Sequence, residues 1–332
     1  MIGTAQIGTI GRVGRVGDGA VVGWHDELTH EQWLELRTAG IGGSDAAAAA
    51  GVSEYRSRVY LWADKTGRIP PREQTEPMEW GHRHESAVLQ AFADRHPELS
   101  VLRVGASLRH SNIPWCLANL DGLARDSGGE HVLVEVKTGG EYMKRKWKGG
   151  VPADYYWQVL HYLAVLGPRV RRAYVPVLLG GNHYEERIVE RDEEAIAWLL
   201  EQEREFWGYV QAGEMPPVDG DESTSEALAK MWAESSPDVV RLPDRALQLI
   251  QDREAIILEQ KTAERARSAV EAELKTLLAE SERGSVGRYL VRWPTISATR
   301  IDTKKLQSKY PTIAAECSVT STHRRFDVSE VK

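Results

Sequence analysis

The segment Leu133-Val134-Glu135-Val136-Lys137 alternates apolar and charged side chains with the period of a β-strand. Glu135 and Lys137 therefore share one face, about 7 Å apart in rise, while Val134 and Val136 take the other. Asp121, in the turn Leu120-Asp121-Gly122, lies 14 positions before Glu135. Between the two stretches runs Arg125-Asp126-Ser127-Gly128-Gly129-Glu130, a polar, Gly-containing connection of the kind that joins hairpin strands. Residues 115–124 and 131–138 are thus expected as antiparallel neighbours, close enough for one metal to bridge Asp121 and Glu135. Hydrolysis of a phosphodiester by a divalent metal needs hard oxygen ligands, a water delivered in line and a cation to balance charge. Taken singly, alternating charges usually mark a solvated face and an Asp-Gly pair is usually only a turn; the conjunction carries the reading.

Outward from this hairpin, residues 26–39 read as a short helix ended by Gly40, and a second helix should begin after Gly42-Gly43-Ser44, with Ser44 as its N-cap. Residues 80–95 read as a helix with Val88, Leu89, Ala91 and Phe92 on its apolar face and Glu85 among its polar residues, closed by Pro97. Residues 101–108 are strand-like. Residues 153–166 read as a helix, 172–179 and 185–189 as paired strands around Gly180-Gly181-Asn182, and 193–212 as a further helix. The basic run Lys144-Arg145-Lys146-Trp147-Lys148 follows the Glu135 strand. It reads either as a solvated loop or as a grip on a DNA backbone through Lys144 and Lys146, with Trp147 stacking on a base.

The order of motifs resembles the YqaJ-type viral recombinases, the phage family that includes lambda exonuclease, within the restriction-endonuclease-like D...(D/E)xK superfamily. The motifs are Arg37-Thr38-Ala39-Gly40-Ile41-Gly42-Gly43-Ser44-Asp45, Leu61-Trp62-Ala63-Asp64-Lys65-Thr66-Gly67, Gly81-His82-Arg83-His84-Glu85, Leu120-Asp121-Gly122, Glu135-Val136-Lys137-Thr138 and Gln158-Val159-Leu160-His161-Tyr162. What the resemblance implies is an α/β restriction-endonuclease-like core, a mixed sheet flanked by helices, acting as a double-strand DNA exonuclease that degrades one strand from its 5′ end. Asp121, Glu135 and the Val136 carbonyl would bind Mg²⁺, for which Mn²⁺ could substitute. Lys137 would orient or activate the attacking water, and Glu85 would assist a second metal or its water. Arg37 and Ser44 match positions that receive a terminal 5′ phosphate, and Gln158, which matches the first glutamine of the family's Gln-Val-Gln-His-Tyr motif, would be a further DNA contact. The second glutamine is Leu160 here, and the proline that often precedes the active-site aspartate is Leu120. Double-stranded DNA ends, a single-strand annealing protein (RecT-like or Beta-like) and a homo-oligomeric ring are the implied partners.

The 332 residues carry 42% hydrophobic and 27% charged side chains, with no apolar run near the ~20 residues of a membrane helix. A net charge of -7 says little about a local DNA groove, because metal-dependent nucleases also need carboxylates. Two cysteines, Cys116 and Cys317, do not make a zinc site, an iron-sulfur site or a disulfide framework, and a reducing bacterial cytoplasm is expected, for a protein of phage or prophage origin. The expected organisation is a flexible lead-in at 1–23, a nuclease core at 24–215, a linker at 216–242 and a helical and irregular extension at 243–332. Within the extension, residues 243–280 form a helical run, packed on the body, folded into a hairpin or paired as a coiled coil. Two further functions share these residues: an endonuclease with the same chemistry, and a DNA-binding protein that has lost catalysis.

Overall fold

The computed structural model describes residues 5–71, 73–320 and 324–330. The chain divides into two compact units, Met1–Trp232 and Ala233–Lys332. In the first, the elements run β1 (Gly8–Thr9), β2 (Arg15–Val16), β3 (Gly19–Trp24), α1 (His30–Thr38), α2 (Gly43–Ala49), α3 (Arg58–Lys65) and α4 (Glu76–Arg95). Then come β4 (Ser100–Arg103), β5 (Ala106–Arg109), β6 (Leu117–Asn119), β7 (Gly122–Arg125), β8 (His131–Val134), β9 (Lys137–Gly139) and the short α5 (Lys144–Trp147). The unit closes with α6 (Ala153–Leu166), β10 (Arg172–Leu179), β11 (His183–Glu190), α7 (Glu193–Ala212) and α8 (Glu222–Met231).

Among the described residues the central sheet has seven strands in the order β1-β4-β7-β8-β10-β11, with β9 continuing β8 alongside β10. The expected hairpin is there: β7 and β8 pair antiparallel from Gly122↔Val134 to Arg125↔His131. Asp126 closes its turn by accepting the Glu130 N–H at 2.9 Å. The β10–β11 hairpin turns on Gly180 and Gly181, both at positive φ, which L-residues with side chains rarely adopt. β8 and β9 run parallel to β10, so the sheet is mixed. One face, bearing Leu133, Val175 and Val177, forms a core with Leu160 and Leu163 of α6 and Leu199 of α7. On the other, Val132, Val134 and Val136 meet Val88, Leu89 and Phe92, which recur at helical spacing on α4.

Several expectations are corrected. Of the lead-in expected at 1–23, residues 1–4 lie outside the described residues, and the rest contributes strands to both sheets: β1 pairs with β4, and β3 pairs with β5 in a second sheet ordered β2-β3-β5-β6. Its glycine-rich composition hid strands whose partners lie far along the chain. Residues 101–108 and 115–124, each read as one strand, are two strands apiece, because the chain crosses from one sheet to the other at Val104-Gly105 and at Leu120-Asp121. Residues 216–242 contain α8, capped by the Asp221 carboxylate accepting the Ser223 N–H at 2.8 Å. Ala227 is buried beside α3, and the Ser223 hydroxyl accepts the Ser57 N–H at 2.7 Å. Ser44 is not a cap: Gly42 holds that position, and the Asp45 carboxylate returns to its N–H.

In the second unit, α9 (Arg245–Leu278) is one unbroken helix rather than a hairpin, and among its residues only Leu278 is buried. Then follow a hairpin of β12 (Arg283–Val286) and β13 (Tyr289–Arg292), α10 (Thr303–Lys309) and α11 (Pro311–Glu316). Among the described residues no helix is long and apolar enough to cross a membrane.

Candidate active site

The site forms where the ladder between β8 and β10 is interrupted. The register is unchanged from Val134↔Tyr174 to Lys137↔Val177, and Glu135 N–H still reaches the Tyr174 carbonyl at 3.0 Å. Its next bond would come from Pro176, which has no N–H to give. Residues alternate their hydrogen-bonding direction along a strand, so Val136 points its polar groups the other way, past the start of β7. There its N–H donates to Asp121 Oδ2 at 2.8 Å. Asp121 sits in the crossing between the two sheets, immediately before β7. The hairpin expected from sequence thus brings Asp121, Glu135 and Lys137 together.

Lys137 Nζ donates to Glu135 Oε1 at 2.6 Å and lies 5.0 Å from the centroid of the Tyr155 ring. Gln158 Nε2 donates to the same Glu135 oxygen at 2.6 Å, whereas Glu135 Oε2 is buried with no hydrogen-bond partner. Burial, followed by the charge of Asp121, pushes the Glu135 carboxyl up to about 8. Asp121 is pushed up to about 7 by burial and by Glu85, with Lys137 opposing. Glu85, on α4, is raised by burial and then by Glu135. Burial would lower the Lys137 pKa, but Glu135 and Asp121 outweigh it and hold the ammonium charged. Three carboxyls thus crowd one another around the Lys137 ammonium. Arg103, at the end of β4, also lowers Glu85 and had no signal in the sequence motifs.

Gln158, expected among the DNA contacts, is buried, and its amide is taken by Glu135 and, at 3.2 Å, by the Tyr162 hydroxyl. In this structure its amide is thus turned to a carboxylate. Arg37 ends α1 and is exposed; its carbonyl accepts from Lys65 Nζ at 2.7 Å, and that ammonium pairs with Asp45 at 2.7 Å. Arg56 joins Asp45 at 2.9 Å and also donates to the Ser44 carbonyl at 2.7 Å. Asp45 is buried, a cost that these cations, with Arg37, outweigh, holding its carboxyl far below the usual range. Ser44 is exposed on the first turn of α2. Lys65 and Arg56 were not singled out in sequence; only their basic character after the Gly-Gly-Ser-Asp turn could have suggested a partner for Asp45.

The basic run is divided. Lys144 pairs with Glu141 at 2.8 Å, and Lys146 pairs with Glu54 at 2.5 Å beside Tyr55. Trp147 does not stack on a base: it is 1% exposed and stacks on Tyr155, because α5 turns its apolar side onto α6. The exposed aromatic of this segment is Tyr142, at 81%.

Cys116, His161 and Glu203 form a buried group of metal-ligating types. Both imidazole nitrogens are already committed, Nδ1 to Glu203 Oε1 at 2.7 Å and Nε2 to the Leu117 carbonyl at 2.8 Å. A ring that donates twice is an imidazolium. Burial opposes that charge, but Cys116 and Glu203 raise the His161 pKa well above its usual value. We read this group as an ion pair joining α6, α7 and β6.

A mixed sheet flanked by helices, with Asp and Glu-x-Lys presented by a hairpin and a glutamate by the adjoining helix, is the architecture of the restriction-endonuclease-like nucleases. The family model of the YqaJ-like viral recombinase domain matches residues 32–169, from α1 through α6, which hold Arg37, Ser44, Glu85, Asp121, Glu135, Lys137 and Gln158. Over 317 residues the chain is 35% identical to the Bacillus subtilis (strain 168) protein YqaJ, covering 94% of this chain and 98% of that one. The chain belongs to the YqaJ-like viral recombinase family. Solved structures that it resembles in part include an alkaline exonuclease from Laribacter hongkongensis, at 21% identity and a TM-score of 0.47 over 55% of this chain and 93% of that one. Another is a phage-related exonuclease from Haemophilus somnus 129PT, at 10% identity and a TM-score of 0.40 over 54% and 96%.

Proposed function

We propose that the protein is a Mg²⁺-dependent exonuclease that degrades one strand of duplex DNA from its 5′ end and leaves a 3′ single strand for recombination. The observation that carries this reading is the convergence of Asp121, Glu135 and Lys137 around a buried Glu135 oxygen without a partner. Asp121, Glu135 and the Val136 carbonyl would hold the metal, and Glu85 would assist a second ion or its water. These donors are all oxygen, which suits Mg²⁺ and admits Mn²⁺. A divalent cation would also relieve the repulsion that raises the carboxyl pKa values. Once bound, the metal supplies positive charge to the phosphate as the transition state forms.

The chain's own groups do the rest. Val136 N–H and Gln158 fix the two carboxylates, and Lys137 keeps its proton and is placed to orient the attacking water and offset developing charge. Arg37, exposed and near enough to Asp45 to lower its pKa, together with the exposed Ser44, supports recognition of a terminal 5′ phosphate by a charge-assisted contact. Family membership supports DNA ends as substrate, a single-strand annealing protein as partner and a closed ring as assembly, acting in the cytoplasm.

The test is digestion of end-labelled linear duplex with Mg²⁺. The label should be released from 5′ ends while closed-circular duplex stays intact, and Asp121→Ala or Glu135→Ala should abolish release while Ca²⁺ still permits DNA binding. Lys137→Ala should lower the rate by about a hundredfold or more with duplex affinity kept within roughly tenfold, as for a group that acts in the transition state. Linear duplex with 5′ phosphates should be cut roughly ten- to a hundredfold faster than with 5′ hydroxyls, and Arg37→Ala should erase most of that difference. Equal cutting of circular duplex would make the protein an endonuclease, and full digestion by either carboxylate variant would refute the site.

A further inference from the structure

Tyr162 lies between the α2 turn and the Glu135 carboxylate. Its ring packs directly on the backbone of Gly43, the first residue of α2: a Cβ at that position would fall 2.3 Å from Cε1 and 2.6 Å from Cζ of the ring. Its hydroxyl accepts from Gln158 Nε2 at 3.2 Å, one turn back on α6, and the same amide donates at 2.6 Å to Glu135. The chain of contacts is continuous from the Gly42-Gly43-Ser44 turn through the tyrosine ring and hydroxyl to the Gln158 amide and the Glu135 carboxylate. Tyr162 is buried, and charge from Glu135 and Asp121 on one side and Asp45 on the other reaches its hydroxyl. Only a glycine permits this approach at position 43, so a shift of the α2 turn must move the ring rather than a flexible side chain.

We infer that Tyr162 is a positioning residue that couples the α2 turn to Glu135, so that a 5′ phosphate held at Arg37 and Ser44 aligns the metal-holding carboxylate. This rests on the proposed exonuclease function. A coupling of this kind is reciprocal: the terminal phosphate strengthens metal binding by the same factor as the metal strengthens phosphate binding. A duplex carrying its 5′ phosphate then meets a centre already in order, while one ending in a hydroxyl does not.

The experiment measures Ca²⁺ binding by calorimetry to the full chain saturated with duplex bearing 5′ phosphates or 5′ hydroxyls, alongside kcat and KM with Mg²⁺ on both substrates. Wild type should bind Ca²⁺ about fivefold or more tightly beside the phosphorylated end. Tyr162→Phe keeps the ring and loses the hydroxyl, so its melting temperature should fall by only about 2–4 °C, the scale of one hydrogen bond. Its Ca²⁺ affinity should become the same on both duplexes, and its kcat on phosphorylated ends should drop toward that on hydroxyl ends with KM little changed. Gly43→Ala, which displaces the ring from the other end, should give the same loss of coupling. If wild type prefers phosphorylated ends and Tyr162→Phe keeps both the preference and the Ca²⁺ difference, the relay is overturned while the exonuclease reading stands. A wild type with Mg²⁺-dependent cutting but no response to the phosphate would overturn the relay together with the 5′-phosphate site, and absence of cutting would remove the function itself.

Discussion

Asp121 and Glu135 are held in a state that protons and a divalent cation contest. Their carboxyls are raised to about 7 and about 8, against about 4 in an unfolded chain. Groups with raised folded values bind more protons folded than unfolded, so their cost to the metal-free protein is absent below about pH 4 and grows as pH rises through the folded values. Metal binding requires both to be deprotonated. The rise in melting temperature produced by Ca²⁺ should therefore be small near about pH 6 and large near about pH 8.5, with proton release on binding measurable by calorimetry in buffers of different ionisation enthalpy. A thermal shift of equal size across that range would show these carboxyls to be ordinary. Much of this was legible in the sequence, because strand alternation alone puts Glu135 beside Lys137 and the hairpin length alone brings Asp121 near. What could not be read was Gln158 as the group that orients Glu135, or the interruption opposite Pro176, since both depend on an element brought in from a later part of the chain.

At the level of elements, α6 is held to its neighbours by one buried charge pair. His161 joins Glu203 of α7 to the Leu117 carbonyl of β6. Its raised pKa makes the sign plain: the imidazolium contributes stability fully below the unfolded value of about 6.5, and that contribution is lost only as pH rises through the much higher folded value. Glu203→Gln leaves a buried cation without its anion and should cost about 3 kcal/mol, roughly a 6–12 °C fall in melting temperature for a unit of this size. Glu201→Gln, which breaks an exposed pair with Arg204 on the same helix, should leave the melting temperature nearly unchanged. Thermal melts of both variants at neutral pH test the contrast. The helices α6 and α7 were readable to the residue because their apolar periodicity runs uninterrupted between clear stops. The strands at 100–109 and 117–125 were not, because period-two patterning is the same on either side of a crossing between sheets. Trp147 was misplaced for a related reason: a basic run reads as solvated, and only the tertiary fold shows which of its side chains turns inward.

For the molecule as a whole, the boundary between units falls after α8, within residues 216–242. Ala227 is buried in the cluster with Phe206, Leu61 and Trp62. A chain ended after Met215 should lose that cover and the Ser223–Ser57 bond, lowering the melting temperature of the first unit by about 5 °C or more, on the scale of about 2 kcal/mol lost. A chain ended after Val240 should melt like the first unit of the full protein, and calorimetry of the two truncations decides between the boundaries. The sheet topology has a further consequence, in the timing of folding. Gly8 waits for Leu102, Val21 for Leu108, and β8 for a β10 that is synthesised last among its neighbours. The β7–β8 hairpin therefore emerges from the ribosome with one edge unpaired, and its carboxylates find their geometry only after Gln158 and Pro176 have been made. Pairings so distant in sequence fold on the slow side, over milliseconds to seconds. During that interval an exposed strand edge is open to association with other nascent chains, so that expression at lower temperature, where synthesis and aggregation slow together, favours the native sheet.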